Sequence, residues 1–302
     1  FRILEETKET AYLRQRTNES CIIIQGRCIM SVNVRWLGTA GIEISHEGKA
    51  ILIDPYLSRP GKADILFKPL VANKDAIRRY LNSVNEKVVA VIAGHTHFDH
   101  ALDIPEIACI LGCTIIGSPS LDMLLSLSGL PDRVTVGRPR EQISIDDETT
   151  ITMIPSAHGL ALSRFLLLEG DIRRSVIPPL RANQFRMGDM LSPEISFGGL
   201  ALIHVGSAGY VVKELDGHLC DVLIMCVAGW KKWPAYPEKV IEILKPSCVI
   251  PIHYDDFSAP LTPGRKCPVM RSADLEGFCK RVKEIRPDLE VRQIEPFETV
   301  SF

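Results

Sequence analysis

The feature that most constrains this chain is the run His95-Thr96-His97-Phe98-Asp99-His100, three histidines and one aspartate in six positions. It follows Val88 to Ala93, an apolar stretch that reads as a buried strand ending at Gly94. Side chains alternate along extended backbone, so His95 and His97 can project toward one point. Asp99 and His100, at the start of the next helix, can reach a second point nearby. Polar groups seldom cluster at a buried strand end without a function. Imidazole and carboxylate together suit a borderline divalent ion: zinc as one or two ions, with manganese or iron also compatible.

Other strand ends repeat the theme. Thr150–Ile154 is followed by Pro155-Ser156-Ala157-His158-Gly159, Val249–Ile252 delivers His253, and Ala50–Ile53 ends at Asp54-Pro55. Ligands at strand ends converge on one rim of a layered sheet. Val32 to Ser45 reads as two strands broken at Gly38-Thr39-Ala40-Gly41. More strands are expected at 114–116, 133–136, 142–145, 200–205, 222–227 and 289–294, and helices at 103–111, 121–130, 237–244 and 272–285. Many strands with interspersed helices indicate an α/β fold of two layered sheets with helices outside. Residues 159–197, rich in Arg and Pro (Arg164, Arg173, Arg174, Arg181, Arg186, Pro178, Pro179, Pro193), read as an irregular excursion.

Composition narrows the setting. With 302 residues, 46% of them hydrophobic, the chain can bury a sizeable core. A formal net charge of -2 argues against a bulk basic field for nucleic acid. No apolar stretch approaches the roughly 20 residues of a membrane-spanning helix. Residues 1–30, of mixed charge, read as an N-terminal extension without a signal-peptide core, and a cytoplasmic location is expected. The nine cysteines show no CxxC spacing and read as buried free thiols, Cys109 and Cys113 sharing a helix face in the core.

The run His95-x-His97-x-Asp99-His100, with Asp54 before it and His158 and His253 after it, resembles the metallo-β-lactamase superfamily over roughly residues 32–257. Trp36-Leu37-Gly38-Thr39-Ala40-Gly41, Ile53-Asp54-Pro55 and Pro251-Ile252-His253-Tyr254-Asp255-Asp256-Phe257 resemble its branch containing ascorbate-6-phosphate lactonase and N-acylphosphatidylethanolamine phospholipase D. The resemblance implies an αββα sandwich, two mixed β-sheets flanked by helices, as a single domain over 31–302 with 159–197 inserted. It implies one metal held by His95, His97 and His158 and a second by Asp99, His100 and His253. Asp54 would orient ligands rather than bind metal. In one respect the chain departs: where the superfamily places a bridging carboxylate after a strand, this chain has Ser207, in Ile203-His204-Val205-Gly206-Ser207-Ala208-Gly209. Asp189, in the irregular region, is no substitute for it, and His204 reads as structural.

The expected activity is hydrolysis of an ester, lactone or amide, with or without an anionic substituent, by a metal-bound hydroxide. Phosphodiester cleavage on a lipid or nucleotide is the enzymatic alternative; a non-catalytic metal-binding or sensing protein is another. Asp99 and Asp54 are the candidate catalytic acids, and Tyr254 either donates a hydrogen bond to developing charge or only packs. Trp230-Lys231-Lys232-Trp233-Pro234-Ala235-Tyr236 either contacts an anionic substrate or anchors a loop. Residues 258–302 are expected to complete a sheet edge or to support a homo-oligomer.

Overall fold

A computed structural model describes residues 31–159 and 168–302, together with the backbone of β1 (Cys21–Ile24) and β2 (Arg27–Met30), an antiparallel pair. Arg164 and the first twenty residues of the extension lie outside the described residues. Strands β3 (Asn33–Gly38), β4 (Gly41–His46), β5 (Lys49–Ile53), β6 (Lys87–Ile92), β7 (Thr114–Gly117) and β8 (Val134–Val136) belong to one sheet. Strands β9 (Gln142–Ser144), β10 (Thr150–Pro155), β11 (Leu191–Phe197), β12 (Leu200–Val205), β13 (Val222–Cys226), β14 (Cys248–Ile252) and β15 (Glu290–Val291) form the other. The last strand, β16 (Thr299–Ser301), returns to the first sheet and pairs antiparallel with β3, so the C-terminal segment does complete a sheet edge.

Both sheets are mixed. In the first, β3, β4 and β5 pair antiparallel, while β5 to β8 run parallel. In the second, β9 to β12 pair antiparallel, while β12 to β15 run parallel. The central parallel strands β13 and β14 are buried along their whole length and apolar on both faces, as burial on both sides requires. Trp36, Ile42, Ile51, Ile53 and Ile92 of the first sheet share one core with Ile151, Phe197, Ile203 and Val205 of the second. The opposite side chains Leu52, Val91 and Ile115 join a separate apolar cluster. That cluster includes Ile77 and Tyr80 of the helix Lys74–Leu81, Ile104 and Ile107 of Ile104–Ile110, and Leu121 and Leu124 of Pro119–Leu127. The two mixed β-sheets flanked by helices match the expected αββα fold.

Several sequence expectations shift. The irregular region ends sooner than 197, because Leu191 to Phe197 pairs in register with β10 and β12. Pro193 in that strand made it read as loop. The strand expected at 289–294 shrinks to Glu290–Val291, and the helix at 121–130 ends at Leu127. The helix Lys74–Leu81 was not foreseen; Asn73 caps it by accepting from the Ala76 amide. Cys109 is exposed and Cys113 lies beyond the end of the helix Ile104–Ile110, so the pair does not share a core face. Among the described residues the buried thiols are Cys220, Cys226 and Cys248, while the side chains of Cys21 and Cys28 lie outside them. No described helix is long and apolar enough to cross a membrane.

Candidate metal centre

Strand direction assembles the site. The parallel neighbours β5 and β6 end at Asp54 and just before His95, while β10, β12 and β14 run the same way in the other sheet and lead to His158, Ser207 and His253. The loop after β6 is pinned on both sides: the Leu191 amide donates to the Gly94 carbonyl and the Thr96 amide to the Met187 carbonyl. Gly94 is closely surrounded: a Cβ there would lie 3.0 Å from the Leu191 carbonyl oxygen and 3.2 Å from Asp54 Oδ2, so its neighbours would have to give. His97 immediately precedes the short helix Phe98–Ala101, which presents Asp99 and His100.

Six side chains converge in two groups, His95 with His97 and His158, and Asp99 with His100 and His253, each group's donor atoms lying within 4.8 Å of one another. Within the first, His95 Nε2 and His97 Nδ1 are 3.1 Å apart. That is close to the roughly 3.3 Å edge of a tetrahedron built on ordinary zinc–nitrogen bonds. Within the second, Asp99 Oδ2 lies 3.5 Å from His253 Nε2 and 3.9 Å from His100 Nε2, longer than good hydrogen bonds. Imidazole and carboxylate donor atoms that converge this closely fit a divalent cation. His158 is oriented for this by its Nδ1, which hydrogen-bonds the Gly159 carbonyl at 2.8 Å.

Asp54 also lies against His95 and His100. Its fully buried carboxylate accepts from the Gly94 amide at 2.7 Å and from His100 Nδ1 at 2.8 Å. It thereby fixes the His100 ring and leaves Nε2 to face Asp99, the arrangement in which a carboxylate behind a histidine raises its strength as a ligand. Asp54 and His253 both sit at positive φ, 46° and 58°, conformations that non-glycine residues adopt mainly where the surroundings enforce them. For His253 the enforcing contacts are its amide to the Thr39 carbonyl, and Asp255, which accepts from the Thr39 amide and pairs with Arg59.

Burial favours the neutral form of His95 and His158. Burial, reinforced by the neighbouring histidines, holds His95 well below its ordinary pKa, and burial with His97 lowers His158 to about 3. Burial alone would raise Asp99, but His100 and His253 hold it below the usual carboxylate range. Burial likewise opposes protonation of His100, yet Asp54 and Asp99 draw its pKa up. Neutral histidine and ionised carboxylate are the forms that ligate metals.

Other expected residues are placed differently. Tyr254 is buried, its ring 4.6 Å from that of Trp36, and its hydroxyl donates to the Ile294 carbonyl. It is a packing residue, without a proton free for substrate. Trp230 and Lys231 are held by Asp274, through its carbonyl and its carboxylate, and Trp230 packs edge-on against Phe278. The aromatic loop is thus anchored to the helix Leu275–Ile285 and borders an open cleft of about 400 Å³. His204, fully buried, hydrogen-bonds the Ala40 carbonyl, as a structural histidine does. Asp189 is exposed. Sequence reasoning gave no role to Arg59, Thr39 or Asp103; Asp103 accepts from the Leu57 and Ser58 amides and the Ser58 hydroxyl. A carboxylate 45 residues from its partner leaves no local signal.

Comparison with known proteins agrees with this geometry. Residues 33–253 match the beta-lactamase superfamily domain. A UPF0173 metal-dependent hydrolase of Methanopyrus kandleri is 25% identical over 274 residues, 89% of this chain and 99% of the relative. The metallo hydrolase Igni18 of Ignicoccus hospitalis shares the fold with a TM-score of 0.56 at 20% identity, over 90% of this chain and 98% of that one. An isothiocyanate hydrolase from Delia radicum gut bacteria does so with a TM-score of 0.57 at 17% identity, over 89% and 99%. With the domain matched from β3 to His253 and the strand-end histidines brought together, the chain belongs to the beta-lactamase superfamily and has its metallo-β-lactamase fold.

Proposed function

We propose that this metal-dependent hydrolase cleaves an ester, lactone or amide of a small molecule, at a centre held by His95, His97, Asp99, His100, His158 and His253. The observation that carries the reading is the convergence of these six side chains into two groups of donor atoms at one rim of the sandwich. Zinc fits the mixed nitrogen and oxygen donors, and manganese or iron would also be accepted. A bound divalent ion supplies Lewis acidity and lowers the pKa of water to about 7. The protein's own part is positional. Asp54 orients His100, Gly159 orients His158, and the Asp99 carboxylate faces the same space as the imidazoles and can orient a water there.

An anionic substituent on the substrate is supported by exposed Arg173 and Arg174. They belong to the segment whose Arg186 and Met187 carbonyls accept from Thr96, between the first two histidines. The lactonase-like motifs around Gly38 and Asp54 support the lactone among the three bond types. The test is a screen of metal-reconstituted protein against lactone, ester, amide and phosphodiester probes, with His97→Ala as control. Lactone or ester turnover abolished by His97→Ala is expected. Turnover that survives His97→Ala refutes a metal-centred hydrolase, and turnover confined to phosphodiesters refutes the substrate class.

A further inference from the structure

The turn carrying Ser207 is packed backbone to backbone against the turn carrying His158. A Cβ at Gly159 would lie 2.5 Å from the Ala208 carbonyl oxygen, and one at Gly209 would lie 2.3 Å from that of Ala157. Ser207 is buried and its Oγ accepts the Gly159 amide at 3.0 Å. The hydroxyl therefore ties down the His158 turn. Being neutral, it brings no charge to the centre.

Anionic charge is distributed unevenly over the two groups of donors. His95, His97 and His158 contain no carboxylate. The other group contains Asp99, and Asp54 stands directly behind its His100. No further carboxylate joins the donor groups among the described residues. Two neighbouring dications repel strongly at low dielectric unless an anion lies between them. Asp54 lies against His95 of one group and His100 of the other, but its two oxygens are already engaged, one by the Gly94 amide and one by His100 Nδ1.

We infer that the centre holds one ion tightly, in the Asp99–His100–His253 group, and a second only weakly at His95, His97 and His158, because Ser207 is a strap on the His158 turn and not a shared ligand. The inference rests on the metal-dependent reading above. Carboxylate charge selects the tight position, and the neutral group fills only at higher metal concentration.

The experiment is a zinc titration of chelator-stripped full-length protein, by calorimetry and by competition with a chromophoric chelator, with bound zinc counted by elemental analysis. The wild type should bind one equivalent tightly and a second at least roughly 100-fold more weakly. Ser207→Asp should bring the second equivalent close to the first. Ser207→Ala should keep the tight ion within about threefold of wild type, since the hydroxyl holds no metal. His158→Ala should keep that ion and Asp99→Asn should lose it. Two equally tight equivalents in the wild type, loss of the tight ion in Ser207→Ala, or its loss in His158→Ala overturns the inference while leaving a metal enzyme. Absence of any bound zinc, manganese or iron overturns the metal-dependent reading itself. If Ser207→Asp does not fold, the wild-type count and Ser207→Ala still decide.

Discussion

Replacing Asp54 with Asn separates the carboxylate's charge from its volume. Asp54 is fully buried at a φ of 46°, a conformation Asn tolerates as well as Asp, so the backbone should stay in place. The carboxylate accepts two hydrogen bonds, from the Gly94 amide and from His100 Nδ1. An Asn has one accepting oxygen and one donating nitrogen. The Gly94 amide cannot reverse its polarity, so the oxygen turns to Gly94 and the nitrogen donates to His100 Nδ1. His100 then carries its proton on Nε2, the atom facing Asp99, and must lose it before it can ligate.

The fold should therefore change little, by about 1 kcal/mol, because both partners remain bonded. Metal affinity should fall 10- to 100-fold, roughly 1.4 to 2.7 kcal/mol, the usual effect of losing a carboxylate behind a metal-binding histidine. Asp54→Ala is the contrasting variant. It leaves two buried donors without acceptors, at about 1–3 kcal/mol each, and adds about 1 kcal/mol for the left-handed backbone. Urea unfolding of the metal-free proteins reads the first quantity and zinc competition the second. If Asp54→Asn binds zinc within threefold of wild type, His100 is not held in its ligating form by Asp54 and the account of the site is wrong.

Two other outcomes follow from the same geometry. Gly159→Ala forces a Cβ against the Ala208 carbonyl, so the urea midpoint should drop by an amount equal to about 1–3 kcal/mol, with weaker zinc binding at the second equivalent. In the metal-free protein, His95 and His158 have folded pKa values below the unfolded value of 6.5, so the unfolded chain binds more protons below that pH. Their contribution is present above pH 6.5 and is lost progressively as pH falls below that value. His100, with its raised value, acts in the opposite sense, but as one group against two it leaves a net loss of stability between pH 6.5 and 5.5. Equal urea midpoints in chelator at the two pH values would contradict this.

Much of the proposed centre could be read along the chain because its candidate ligands are covalently close. His95, His97, Asp99 and His100 follow a strand within six positions, and backbone alternation already sends them to neighbouring points. His158, His253 and Asp54 were recognisable because each ends a run of apolar β-branched residues. The layered sheets could likewise be read from those runs, whereas β11 was missed because Pro193 and its charged approach disguise a strand that pairing with β10 and β12 stabilises.

What tertiary structure alone decided is the use made of side chains whose partners are remote. Tyr254 adjoins a ligand in sequence, yet its side chain is buried against Trp36 and bonds Ile294. Arg59 and Asp255, 196 residues apart, meet to fix the Thr39 turn on which the His253 amide rests. Ser207 could be seen in the sequence to stand where a carboxylate was expected, but not what its hydroxyl does; the packing of two turns gives it the Gly159 amide. Sequence proximity determines which donors are present, because the backbone carries them together. Whether a given donor faces a metal, a carbonyl or an amide depends on surfaces that meet only when the two sheets close on each other.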